Sequence, residues 1–264
     1  VPVLRFFRLI RQRLITENRV SRYLLYALGE ILLVVIGILI ALQVNNWNEE
    51  RKQRQVEKKY FFNLKNDLYT DIERLEYMMG ISQTKVEAAK KIKQNADQDS
   101  VGSLFEFSKD MMDLIFVDEF RPNQNTYEEM KSSGNFSSMR NDSLKLRLIN
   151  LKKAYTEIGQ TQEHMRNDFE IFLEDIEHYI DMGKYYDLSK SDLPNMHLAF
   201  DSLYVISNSE RMKAEVRDLF RNKVFLNNIF LVEINYAYNI QVLKDTKSEI
   251  LDIINILDQE LHEE

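Results

Sequence analysis

Glu30 is the side chain in this sequence with the strongest claim to chemistry, because of its surroundings. It is the single charged residue in Tyr23–Val44, YLLYALGEILLVVIGILIALQV, a run of 22 residues. A charge near the middle of a bilayer costs about 2.5–3.5 kcal/mol, so a carboxylate there needs a partner or a proton. Helical spacing brings Tyr26, Glu30, Gly37 and Ala41 to one face. Gly37-x-x-x-Ala41 is a small-xxx-small pair that lets a second helix come close. Two chemistries follow. One is helix packing, with Glu30 hydrogen-bonding across the contact; the other is a proton or cation path through Glu30. Packing is the expectation, because one carboxylate is slender support for a pump.

The remaining candidates are weaker. Four histidines are present: His164, His178, His197 and His262. Asp175 and His178 have the i, i+3 spacing of a di-iron bundle ligand pair, but such a site needs two such pairs and further carboxylates. No metal site is expected. Glu163, Asp168, Glu170, Glu174, Asp175, Glu177 and Asp181 form an acidic stretch that reads as a solvated helix face. Ser132 and Ser133 before Gly134 lack the strand–turn–helix setting of a nucleophile and read as a helix stop. No phosphate-cradling glycine loop, HExxH or nucleotide fingerprint occurs, and there is no cysteine in 264 residues. No enzyme activity and no cofactor is expected.

The element that must hold Glu30 is a membrane helix. At 1.5 Å per residue, 22 residues span roughly 33 Å, enough for a hydrocarbon core of about 30 Å. The run leaves through Asn45-Asn46-Trp47-Asn48 with no small-x-small cleavage site, so an uncleaved anchor is expected. Arg5, Arg8, Arg11, Arg13, Arg19 and Arg22 precede it against one acid, Glu17, and Glu49 and Glu50 follow it. By the positive-inside rule the N-terminal side is cytoplasmic and residues 48–264 lie outside the cytoplasm. Tyr23, Tyr26 and Trp47 fit interfacial anchors. Residues 3–15, VLRFFRLIRQRLI, read as a short basic amphipathic helix on the inner leaflet, with membrane lipids as partners. Residues 1–60 hold 11 Lys and Arg against 5 Asp and Glu, net +6, which leaves −13 for residues 61–264 out of the whole-chain −7. That acidic balance excludes nucleic acid as the expected partner.

Outside the membrane the sequence predicts helices throughout. Seven glycines and three prolines leave long helices unbroken. Phe61, Leu64, Leu68, Ile72, Leu75 and Met79 form one apolar stripe on a helix continuing from the membrane to about Met79, with Gly80 as its break. A second helix is expected over about Ser82–Gln94 and a short one within 101–120. Thr126 is expected to cap another short helix through a capping box with Glu129. A long helix is expected from Asn141 or Asp142 to about Met182, and a last one from Ser209 to Leu261. The tail carries a heptad seam of Ile240, Leu243, Lys247, Ile250, Ile254, Leu257 and Leu261, suited to a bundle or to a second copy. The expected organisation is all-α: a cytoplasmic basic amphipathic helix (1–22), a transmembrane helix (23–44), a stalk with the first bundle helix (45–80), and an antiparallel periplasmic helical bundle (81–264).

The segment GEILLVVIGILIALQVNNWNEERKQRQVEKKY, with the Phe/Arg-rich start, resembles a family of single-pass membrane proteins of Bacteroidetes whose domain has no known function. NTYEEMKSSGNFSSMRNDSLKLRLINL resembles the family's second recurring block, and together the two blocks cover about a quarter of the chain. The resemblance implies a Gram-negative inner membrane and a periplasmic domain, and it brings no catalytic residue. The expected role is that of a structural or interaction protein: a self-assembling or accessory subunit, pairing with its own copies or another membrane protein. The alternatives are a periplasmic ligand-sensing module that acts through a partner, and an ion-coupled subunit using Glu30.

Overall fold

The first helix, α1 (Val20–Asp97), is unbroken over 78 residues. The computed structural model describes residues 20–115, 118–176, 178–179, 181–192, 199 and 201–262. The basic segment 3–15, with Arg5, Arg8 and Arg11, and also His197 lie outside the described residues. Gly80 does not end α1, contrary to the sequence expectation. Met78 before it and Ser82, Lys85 and Val86 after it are all buried, so packing on both sides holds this glycine helical.

After α1 come α2 (Leu104–Ile115), α3 (Asn125–Ser132), α4 (Asn135–Ser138) and α5 (Asp142–Ile176), then α6 (Ser202–Ser207), α7 (Ser209–Arg221) and α8 (Lys223–His262). Two 3-10 turns lie between α5 and α6. Among the described residues there is no strand; Tyr186 and Asp192 are isolated bridge residues. The architecture is all-α, a long N-terminal helix continuing into a multi-helix bundle.

Local chemistry explains the boundaries. Asn141 Oδ1 accepts from the Leu144 amide at 2.9 Å and caps α5. That helix stops at Ile176, short of the expected Met182. The expected last helix is two helices, because Asn222 takes an extended conformation and its side chain accepts from Val224 N at 2.8 Å, starting α8 afresh. Gly134 has φ +80°, a left-handed conformation that glycine adopts without strain, and it separates α3 from α4.

The chain divides into two compact units, residues 1–59 and 60–264. The first unit is described only from residue 20, as the opening part of α1. In the second, polar pairs fix helix directions. Lys65 pairs with Asp258, Glu76 with Lys247, Ser82 with Asn239 and Lys93 with Glu233, so α8 runs antiparallel to α1. Asn141 with Glu260, Arg147 with Glu249 and Asp168 with Asn235 make α8 antiparallel to α5 as well. Hence α1 and α5 run parallel to each other.

Two apolar cores lie along these three helices. The first joins the α1 stripe Phe61, Leu64, Leu68, Ile72 and Leu75 to Leu144, Leu148 and Leu151 of α5 and to Ile250 and Leu257 of α8. Met78 rather than Met79 ends the buried stripe. The second joins Ala88, Ala89 and Ile92 of α1 to α2, α7, the end of α5 and the start of α8. Between them Asn239 donates to Ser82 at 3.2 Å, both side chains buried, a polar layer in an apolar stack.

In the C-terminal seam, Leu243, Ile250, Ile254 and Leu257 are buried within this chain's own core, while Ile240, Lys247 and Leu261 are half-buried. The continuous buried face is Asn239, Leu243, Thr246, Ile250, Ile253 and Leu257, again in alternating steps of four and three. Lys247 sits beside that face with its amine 2.6 Å from Glu76.

Candidate functional site

In the first unit, α1 carries an apolar stretch long enough to cross a membrane, by length and composition, and none of that window is buried. Tyr26, Glu30, Gly37 and Ala41 lie on this unbroken helix, which at 100° per residue puts them within a face about 60° wide. Tyr26 and Glu30 are half-buried and Gly37 and Ala41 exposed. A side chain built at Gly37 would meet nothing within 4 Å, so nothing among the described residues requires a glycine there. Trp47 is exposed one turn beyond Val44.

In the second unit, Asp67 and Asp71, one turn apart on α1, clasp the segment that returns from α2 to α3. Asp71 is 1% exposed; its carboxylate accepts from the Tyr155 hydroxyl at 2.5 Å and from Asn123 N at 2.7 Å. Asp67 accepts from Asn123 Nδ2 at 2.9 Å and from Thr126 N at 3.0 Å. Thr126 therefore does not cap its helix through its own side chain: the free amide at the start of α3 is satisfied by an aspartate of α1. Lys152 donates to Gln124 and to Glu128. Burial holds the Asp71 carboxyl above its ordinary value, and the same burial, with Asp71 beside it, raises the Tyr155 hydroxyl. With all four carboxylate oxygens occupied, the cluster fastens a loop rather than offering ligands. A sequence reader sees only a D-x-x-x-D spacing 52 residues from Asn123, with no signal linking them.

Lys85 is also a buried charge. Its amine donates to the carbonyls of Asp113 at 2.7 Å and Leu114 at 3.0 Å, closing the C-terminal turn of α2, and lies 5.1 Å from the centre of the Tyr236 ring. Burial lowers its pKa from 10.5 to about 8. The same burial pushes the Tyr236 hydroxyl up to about 12.

Leu114 and Tyr236 also line a pocket of about 100 Å³ between α5 and α8, whose rim includes Ile171 and Leu231. Asn228 Nδ2 in its wall is buried without a hydrogen-bond partner. Among the aromatic residues, Phe61 and Phe225 are core residues, Phe225 stacking on Phe172 at 5.8 Å, while Phe62 and Tyr238 face solvent.

The other sequence candidates are scattered. His164 is exposed, 3.5 Å from Asp168, and His178 lies beyond the end of α5. Among the described residues no group of three His, Cys, Asp or Glu side chains is placed to hold a metal ion. Ser132 and Ser133 both donate to the carbonyl of Glu129, ending α3. Glu163, Glu170 and Glu174 are exposed.

The described residues form helices without a strand, and α1 carries one apolar run long enough to cross a membrane, an architecture consistent with membrane association. The chain belongs to a family of unknown function, DUF6090, whose profile matches residues 30–167. That match begins at Glu30 and takes in the clasp of Asp67, Asp71, Asn123 and Tyr155. No curated protein and no solved structure matches.

Proposed function

We propose that this chain is a membrane-anchored interaction subunit, a self-assembling or accessory member of a bacterial inner-membrane complex. Residues 23–44 cross the bilayer, with the arginine-rich side cytoplasmic and the helical bundle periplasmic. The observation that carries this reading is the apolar run of α1, whose most apolar stretch is nowhere buried among the described residues. Lipid covers most of it, and a neighbouring span covers the face of Tyr26, Glu30, Gly37 and Ala41. The clasp and the buried lysine support the same reading, because both are spent on rigidity. Asp67 and Asp71 hold backbone amides in and just before the first turn of α3, and Lys85 holds two backbone carbonyls of α2.

Fractionation with protease protection tests the topology. The chain should stay in the membrane pellet through an alkaline carbonate wash, and protease added to intact spheroplasts should digest the bundle. Release by carbonate contradicts the anchor, and a bundle protected in intact spheroplasts contradicts its periplasmic placement.

A further inference from the structure

The hollow between α5 and α8 has a chemically uneven wall. Met165, Phe169, Phe172, Leu231 and Val232 make most of it apolar. Asp168, Asn228, Asn235 and Tyr236 supply its polar atoms. Asn235 donates to Asp168 at 3.0 Å, so that pair is closed. Asn228 differs: its Nδ2 is buried and has no hydrogen-bond partner. Buried polar groups in folded proteins nearly always have one, so this amide calls for an acceptor from outside the chain. The hollow measures about 100 Å³. One water needs about 10–15 Å³ on that measure, and an apolar cavity of about 150 Å³ takes a benzene ring. A single water would satisfy the amide and leave most of the space empty. A cluster of waters needs two to four polar partners for each molecule, which a wall of Met, Phe, Leu and Val does not give. Ile171 and Leu231 on the rim are 60% and 46% exposed, so the hollow opens to solvent.

We propose that this hollow is a binding site for a small uncharged aromatic molecule with one hydroxyl group, the chemistry of a phenol. The proposal goes beyond the interaction-subunit reading and does not rest on it. Volume sets the size at about one ring, and Phe169, Phe172 and Tyr236 in the wall offer it aromatic edges and faces. The hydroxyl follows from the polar atoms. Its oxygen accepts from Asn228 Nδ2, and its proton has the Asp168 carboxylate in the same wall. Charge rules out the ionised relatives. Among the described residues no lysine or arginine lines the hollow, and exposed Glu170 and Glu174 flank Ile171 at the rim. Lys85 stands 5.1 Å from the centre of the Tyr236 ring, but it donates to the carbonyls of Asp113 and Leu114. A carboxylate ligand would therefore meet acids without a cation. An ammonium ligand would suit Asp168 but has only donors, and leaves Asn228 Nδ2 without its acceptor. Bound here, the ligand bridges α5 and α8 and stabilises the bundle by mass action.

The test uses the full chain in lipid nanodiscs, with 4-fluorophenol as the probe and fluorine NMR as the readout against empty nanodiscs. The probe's line should broaden saturably beyond the lipid reference. Added p-cresol should displace it, toluene should do so about tenfold less well for want of the hydroxyl, and benzoate should not. Val232→Phe fills the hollow and should abolish the broadening. Asn228→Leu removes an amide that has no partner, so it should melt no lower than wild type. It should weaken 4-fluorophenol about tenfold and leave 4-fluorotoluene unchanged. Should Val232→Phe fail to fold, the Asn228→Leu comparison decides. A line no broader than in empty nanodiscs overturns the proposal and leaves the hollow to water. Binding that persists in folded Val232→Phe, equal binding of 4-fluorophenol by Asn228→Leu, or displacement by benzoate as strong as by p-cresol overturns it as well. None of these outcomes bears on native mass, by which the interaction-subunit reading stands or falls.

Discussion

Lys85 and Asp71 bring charge into the bundle, and each makes a measurable demand on its surroundings. Lys85 titrates near 8 when folded and 10.5 when free, so between those values the unfolded chain holds a proton that the folded chain has lost. Stability must then rise with pH across that window. The stability of wild type relative to Lys85→Met should climb between about pH 8 and 10.5, by at most about 1.4 kcal/mol per pH unit. At pH 7 the substitution leaves two helix-end carbonyls without their donor and should cost about 1–3 kcal/mol by urea unfolding. Asp71 works in the opposite sense. Its folded pKa lies above 3.8, so its contribution is full below 3.8 and is lost as pH rises through the folded value. Wild type should therefore gain on Asp71→Asn as pH falls from 7 toward 4, and a constant difference would refute the burial argument. Tyr155→Phe, which strips the phenol from that carboxylate, should cost about 2 kcal/mol. Neither residue was legible in the sequence. Lys85 sits in an ordinary charged stretch, SQTKVEAAKK, and its partners are backbone carbonyls 28 and 29 residues away. Glu30, by contrast, stood out at once, because a single carboxylate in an apolar run is visible without any partner.

Helices were legible wherever their periodicity was strong, and their ends were not. The stripe from Phe61 to Leu75 packs as its spacing predicts, because steps of three and four fix one face whatever lies opposite. Gly80 misled, since glycine commonly closes helices, yet two cores grip α1 on either side of it. The break at Asn222 carries neither proline nor glycine and has only a local cap to mark it. These two glycines should answer oppositely to alanine. Gly80→Ala fills open space in a helix interior and should stabilise by about 0.5–1 kcal/mol. Gly134→Ala forces a side chain into a left-handed turn at φ +80° and should destabilise by about 1 kcal/mol or more. Thermal melts of the two variants give the signs directly. The seam on α8 shows the subtler difficulty. A 3–4 pattern could be read from Ile240 through Leu261, yet the buried face begins at Asn239 and passes through Thr246. The two patterns share Leu243, Ile250 and Leu257, while the polar Asn239 and Thr246 take buried places that the spacing gave to Ile240 and Lys247.

For the molecule as a whole, the sequence marks one helix long and apolar enough to cross a membrane and says least about association. Charge split and apolar run length predict a membrane anchor, and α1 is long and apolar enough to be one. What meets the anchor and the bundle is decided by surfaces, and surfaces emerge only after the cores have claimed their residues. Gly37→Ile should lower the native mass of the detergent-extracted complex without lowering its melting temperature, because nothing among the described residues crowds that position. The most direct measurement of the central claim is the native mass of wild type extracted in mild detergent, read by light scattering with the detergent contribution removed. An interaction subunit gives a mass well above one 31.5 kDa chain, made of further copies or of copies with a second protein. A single bare chain, monodisperse and folded at the concentration found in the membrane, would contradict the account.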